Sequence, residues 1–440
     1  MFLLLPRTLV SLFATATFLA ASLGLSSSAF AKDFEVWLVD QSNSNGKIFG
    51  GTIHIYDGAD LNGKAAASST PTDVLDLSGA TSALCLASTG ANPVRPHMLL
   101  FNATHSHAIL SFVASGHVVI FHAATRTPVA CIRTSPGAGG ARQAHAAFPA
   151  PDGSYILVAN QNGKLLERIE ANFATNTFTL NALATINLAT CLTPNGANCQ
   201  DAVLRPDNAP ICPIVDSSST LGFITLRGGG LFVVNPKTTP MQIVAEYDRT
   251  TVHGNGCGGA QAAGTMYVNS GGGTATNLHE FDVYAFPLSG YSAANAPNTP
   301  APDLLYSDDG VERDSHGMAV MKQERFLWVL DRDQNIAEVF DTETGANLNT
   351  VDLNDGGPEG LAPDLADVSP SGNRIFVSLR GPNPLSGDPH VSTGSTPGLG
   401  VIQVQEDGAS GVLKSVVPIH NIDAGGIERA DAHGIRVRLK

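Results

Sequence analysis

"QAHAAFPAPDGSYILVANQ", residues 143–161, reads as an alternating strand, a Pro-Asp-Gly turn and a second strand. Proline, aspartate and glycine each suit a tight reversal for a different backbone reason. The same layout returns at 314–333, "DSHGMAVMKQERFLWVLDRD", at 95–115, "RPHMLLFNATHSHAILSFVAS", and at 362–380, "APDLADVSPSGNRIFVSLR". Looser copies stand at 210–227 and 255–271. A third alternating run follows each pair, such as "HVVIFHAA" at 117–124 or "IAEVFDTETG" at 336–345, and then an outer strand such as "PVACI" at 128–132. Four antiparallel strands per repeat make a propeller blade.

Six blades thus start near residues 95, 143, 210, 255, 314 and 362. The ends supply the seventh. "DFEVWLVDQ" (33–41) is a second strand without a first, "GGTIHIYDG" (50–58) a third and "DVLDL" (73–77) a fourth. The chain closes on "HGIRVRL", which provides the missing first strand. The expected fold is all-β: a seven-bladed β-propeller over 32–440, its ring closed by the C-terminal strand pairing with the N-terminal strands. Closure removes sheet edges that would otherwise recruit other chains. Residues 191–209, 291–303 and 381–398 are insertions rich in turn-forming residues.

The phrase "PDG…ILVAN", followed by a strand and "DTETG", resembles the YVTN-type repeat of seven-bladed propellers in the lactonase-like and quinoprotein amine dehydrogenase-like group. The resemblance spans nearly the whole mature chain and implies fold far more than function.

Residues 1–31 read as a signal peptide: Arg7, an apolar run from Leu9 to Leu25, and the small-x-small site Ala29-Phe30-Ala31. The expected location is periplasmic or secreted. Six cysteines in an exported chain allow three disulfides. Cys191 and Cys199 flank a turn-rich loop, Cys212 and Cys257 hold equivalent places in adjacent blades, and Cys85 and Cys131 remain. The net charge of −14 argues against nucleic acid or an anionic membrane as partner. No later stretch is apolar enough to span a bilayer, and the composition favours short strands over helices.

Aligning the repeats on their first strands gives one column: His97, His145, Cys212, His316, Asp364 and His433, with His253 or Cys257 from blade five. First strands line a propeller's channel, so these distant residues meet in one ring. His97, His145, His253, His316 and His433 are the expected ligands of a transition metal, with copper, zinc or iron favoured by an imidazole-rich set. Asp314 and Asp431 stand two residues before His316 and His433, on the same strand side, where they would orient neighbouring ligands. Nitrous oxide reductase offers an architectural analogy, with channel-facing histidines of a seven-bladed propeller around copper. The present chain departs from it at Cys212 and Asp364 and has no second copper domain. A histidine in this column also serves structurally, by bonding the next blade's backbone.

Arg95, Arg142, Arg249, Arg313 and Arg429 each precede a hub residue by a few positions, a pattern suited to clamping a small anion or to salt bridging with Glu312 and Glu428. The tryptophan-rich docking motif of pyrroloquinoline quinone propellers is absent. Three functions follow. One is a metalloenzyme acting on a small anionic or oxygenated substrate. The second is a metal-free, lactonase-like hydrolase in which a hub histidine or Asp364 is the base beside Arg313 or Arg429. The third is a non-enzymatic propeller that binds metal, or a protein partner on one face.

Overall fold

The computed structural model describes residues 33–62, 66–274, 278–292, 299–310, 312–321, 323–354, 360–385 and 391–440; the proposed signal peptide lies outside them. The strands form seven antiparallel sheets, each with four strands in chain order from the hub outward, and the third blade adds a short fifth strand. First strands run Pro96–Phe101, Ala144–Pro149, Pro210–Val215, Gly259–Ala262, Ser315–Val320 and Pro363–Val368 in blades two to seven.

Blade one is composite, as the ends of the sequence require. Ala432–Leu439 pairs with Phe34–Asp40, matching Leu439 to Phe34, Val437 to Val36 and Ile435 to Leu38. The Lys440 amide donates to the Asp33 carbonyl at 2.9 Å, and Arg438 reaches Glu35 at 2.9 Å. The seam therefore carries backbone bonds, a buried apolar row and a charged pair.

Burial explains the strand chemistry. Second strands such as Phe34–Asp40 and Tyr155–Asn160 are buried at every residue, because neighbouring blades cover both faces. They accordingly read as continuous apolar runs. Outer strands such as Asp73–Asp76 and Thr177–Leu180 alternate half-buried with exposed residues. Gly153, in the Pro-Asp-Gly turn, takes φ 74°, which a side chain would oppose.

Besides short 3-10 turns, one α-helix among the described residues departs from the strand-only expectation. Residues Ala80–Thr89 form an α-helix between blades one and two, ended by Gly90 in the left-handed conformation. The alanine-rich segment has good intrinsic helix propensity. Cys85 on this helix bonds Cys131 on the outer strand of blade two. The expected pairs Cys191–Cys199 and Cys212–Cys257 are also formed.

The first strands share a second feature. Between Pro96 and Leu99, Pro210 and Pro213, Ser315 and Met318, and Pro363 and Ala366, the first strand runs one residue longer than its partner. Ala144–Ala146 and Ala432–Ile435 do the same. Each is a β-bulge, which re-aims a side chain and locally interrupts the ladder.

Candidate functional site at the propeller hub

The bulges hold the hub column. The residue after the first paired position of each bulged strand is His97, His145, Ile211, His316, Asp364 and His433 in blades two, three, four, six, seven and one. Blade four therefore contributes Ile211, and Cys212 lies one step further along. In blade five the equivalent residue is Gly256. Its carbonyl accepts from Thr225 Oγ1 just as His145 and His433 carbonyls accept from Ser111 and Ser378. His253 lies three residues earlier and stands apart from the ring. Four of the five expected ligand histidines thus meet at the hub.

A second column completes the site. The residue that follows each second strand donates its amide to the carbonyl just before the first strand. These bonds run from Gln41 to Asp431, Val113 to Arg95, Gln161 to Gln143, Arg227 to Ala209, Arg332 to Asp314 and Arg380 to Ala362, at 2.8–3.2 Å. Five of these six side chains are amides or guanidiniums, and all six line the hub cavity.

That cavity has a volume of about 340 Å³. His97, His145, His316 and His433 line it with Arg95, Arg227, Arg332 and Arg380, and among the described residues no carboxylate does. Among the expected arginines only Arg95 is present. Arg313 instead bonds Asp331 at 2.8 Å and lies over the Phe281 ring. Arg429 pairs with Asp423 at 2.9 Å, and Arg142 donates to the Thr134 carbonyl. Arg313 and Arg429 thus stand apart from the hub.

Asp364 sits beneath the cavity with no exposed surface and binds four groups. His316 Nδ1 is 2.7 Å from Oδ1, His433 Nδ1 contacts Oδ2, and Arg332 and Arg380 lie 3.1 and 3.5 Å away. Burial pushes its pKa up, but His433, His316 and Arg380 outweigh burial and hold it well below the usual carboxylate range. An ionised Asp364 is a poor proton acceptor and a good orienting group. Asp314 and Asp431 do not touch the histidines as expected; they grip Arg332 (2.7 and 2.8 Å) and Arg380 (2.6 and 2.8 Å) through paired bonds.

This wiring fixes the imidazoles. Asp364 takes the Nδ1 protons of His316 and His433, and Gln41 Oε1 takes that of His97 at 2.7 Å. Each ring is left with Nε2 as its basic nitrogen. His433 Nε2 is buried without a hydrogen-bond partner. Burial lowers the His97 pKa far below its ordinary value, helped by His433 and His145. Burial, then Arg332, lowers His316 to about 4. Both rings are therefore neutral at pH 7, the state that ligates metals or accepts protons.

The rings form a chain rather than one cluster. His97 Nε2 is 3.3 Å from His145 Nε2, His97 stacks on His433 at 3.8 Å, and His433 is 5.6 Å from His316. A nitrogen separation of 3.3 Å is what two imidazoles span on a tetrahedral ion with bonds of about 2.0–2.1 Å. His145 also lies beside the Cys212–Cys257 disulfide, and Met98 Sδ approaches both sulfurs at 3.9–4.0 Å. Oxidised, those sulfurs are not thiolate ligands.

The second column was visible in the sequence as "TLRGG", "LDRDQ" and "SLRGP", at 225–229, 330–334 and 378–382. Reading it required the cross-strand register.

No protein-family model and no curated protein matches this chain. Solved structures do resemble it. A proposed 6-phosphogluconolactonase from Bacteroides uniformis ATCC 8492 superposes with a TM-score of 0.56, at 12% identity over 92% of this chain and 99% of its own. One from Bacteroides fragilis NCTC 9343 gives 0.54, at 14% identity over 93% and 99%. The dihydro-heme d1 dehydrogenase NirN gives 0.50, at 11% identity over 91% and 74%. At these identities the likeness establishes the propeller fold.

Proposed function

We propose that this chain is an exported metalloenzyme whose hub cavity takes a small anionic, oxygenated substrate beside a transition metal. The carrying observation is the composition of the cavity: among the described residues, four histidines and four arginines face it and no carboxylate does. Arg95 and Arg227, the latter also paired with Asp207 at 2.7 Å, would hold the anionic group, while Arg332 and Arg380 are locked to Asp314 and Asp431. His97 and His145 are the pair whose spacing fits an ion of the zinc, copper or iron class. His433 presents its unbonded Nε2 nearby. Such an ion supplies Lewis-acid or redox chemistry. Gln41 and Asp364 orient the rings.

Export is supported by three disulfides and the apolar leader sequence. Elemental analysis of untagged protein tests the metal: near-stoichiometric zinc, copper or iron should fall in a His97→Ala/His145→Ala variant. Phosphate and C6 aldonates should bind by calorimetry, and weaken in Arg95→Ala.

A second reading rests on the Asp364–His433 contact. An imidazole held at Nδ1 by a buried carboxylate, with Nε2 unbonded, is a general-base arrangement. In that reading His433 activates water against a lactone and the arginines receive the carboxylate product. Lactone hydrolysis that survives chelation would favour it.

A further inference from the structure

His253 and its two partners form a separate constellation in blade five. Glu280, Asp282 and Tyr284 alternate along the third strand His279–Pro287, so the three side chains share one face. The loop before the blade brings His253 onto that face. His253 Nδ1 lies 2.7 Å from Asp282 Oδ2 and also contacts Glu280 Oε1. One donor atom from each of the three residues lies within 4.8 Å of the others.

The charges do not balance. Glu280 is 1% exposed and Asp282 is fully buried, yet one imidazole is shared between them. Among the described residues Glu280 Oε2 and Asp282 Oδ1 accept no hydrogen bond, although the Ser307 hydroxyl also bonds Asp282. The neighbouring cation is no help: the Arg313 guanidinium is taken by Asp331, Asp308 and Glu338. A buried carboxylate without donors is costly. Around this cluster the orienting bonds are already made. Tyr284 donates to Asp282 Oδ2 at 2.7 Å, and the His253 amide donates to the Tyr284 oxygen at 3.1 Å. Carboxylate ligands held this way are a recurring feature of metal sites.

We infer that His253, Glu280 and Asp282 bind a divalent first-row cation, zinc above all. One imidazole and two carboxylates suit zinc or manganese better than calcium or magnesium, which prefer all-oxygen shells. The ion neutralises both carboxylates and occupies their unbonded oxygens. His253 side-chain exposure of 37% provides the way in from solvent. The site also ties down the loop that carries Asn255 and Cys257 into the hub cavity. It does not depend on the reading of the hub.

The test is zinc chloride titration of chelator-treated, untagged, disulfide-intact full-length protein, by calorimetry, with the melting temperature as a second readout. Wild type should bind zinc at this site and melt higher with it. His253→Ala, the mildest variant because the ring is the most exposed, and Glu280→Gln should each weaken that event at least tenfold and abolish the thermal shift. Tyr284→Phe should keep the fold and weaken binding severalfold. His97→Ala/His145→Ala should retain the event, which separates this site from the hub. Zinc affinity unchanged in both His253→Ala and Glu280→Gln, or no zinc binding tighter than millimolar in wild type, would overturn the proposal.

Discussion

Asp364→Asn is the substitution that most directly probes the hub. It keeps the shape and removes the charge that two imidazoles and two arginines converge upon. Arg332 and Arg380 keep their paired bonds to Asp314 and Asp431, so neither is stranded. The loss therefore falls on the His316 and His433 contacts and on the ion pairs that Arg332 and Arg380 make with Asp364. Breaking a buried charged pair costs about 3–5 kcal/mol. A propeller of roughly 400 residues unfolds with an entropy on the order of 0.85 kcal/mol/K near 60 °C. The expected fall in Tm is then about 4–6 °C, measurable by calorimetry or circular dichroism. The asparagine also presents an N–H₂ to one imidazole and forces a tautomer change there, which should weaken hub ligand binding by about tenfold or more. Arg429→Ala is the control: its pair with Asp423 is exposed to solvent and its loss should leave Tm close to wild type. A Tm for Asp364→Asn within 1 °C of wild type, with ligand binding unchanged, would refute the network described for the hub.

Four further outcomes are expected. The folded-state pKa of His316 is depressed from 6.5 to about 4, so folding favours its neutral form; the unfolded chain protonates first, and stability is lost as pH falls from about 6.5 towards 4. Denaturant melts should show that slope, about 3 kcal/mol of it from His316, and His316→Gln should make it shallower, while His97, His54 and His117, depressed by burial in the same way, keep part of it. Deleting residues 433–440 removes the strand paired to Phe34–Asp40 and should give aggregation or unfolding; a monomer with unchanged melting would contradict closure. Removing Cys85–Cys131 opens a 46-residue loop against 8 for Cys191–Cys199, so the chain-entropy model expects about 4 and about 2.5 kcal/mol respectively. Paired serine variants compared by thermal melting check that order. Gly381→Ala should destabilise strongly, because the new Cβ would stand 1.8 Å from the Ala430 carbonyl oxygen.

How much of this could be read from sequence depends on how local the cause is. Strand alternation and turn residues act over a few positions, so the blades and the seam at Val36 and Val437 were legible. The hub column was legible where first strands begin alike, at His97, His145, His316 and His433. It slipped at Cys212, which lies one residue beyond the ring position; Ile211 takes that position directly after Pro210, as His97 does after Pro96. It slipped further at His253, where the glycine-rich loop 254–259 offers no strand pattern to count from. Arg332 and Arg380 belong to the site through cross-strand register, which short-range spacing does not encode. Arg313 and Arg429 precede hub strands in sequence, yet the outward turn of their side chains gives them to carboxylates elsewhere. Helix 80–89 escaped because ten residues dominated by alanine, serine, threonine and leucine lack a helical stripe of large apolar groups.

The repeated bulge has a bearing on how such a ring can change. Each hub side chain projects from a point where its strand has already stepped out of the hydrogen-bond ladder. Exchanging that residue disturbs neither the sheet nor its register. Chemistry and scaffold are thereby separated: one position per blade behaves as an interchangeable fitting in a fixed frame. Ile211, facing the cavity from such a position, is the natural place to install a fifth imidazole by a single substitution. New ligand sets can therefore be explored around one rim without rebuilding any blade.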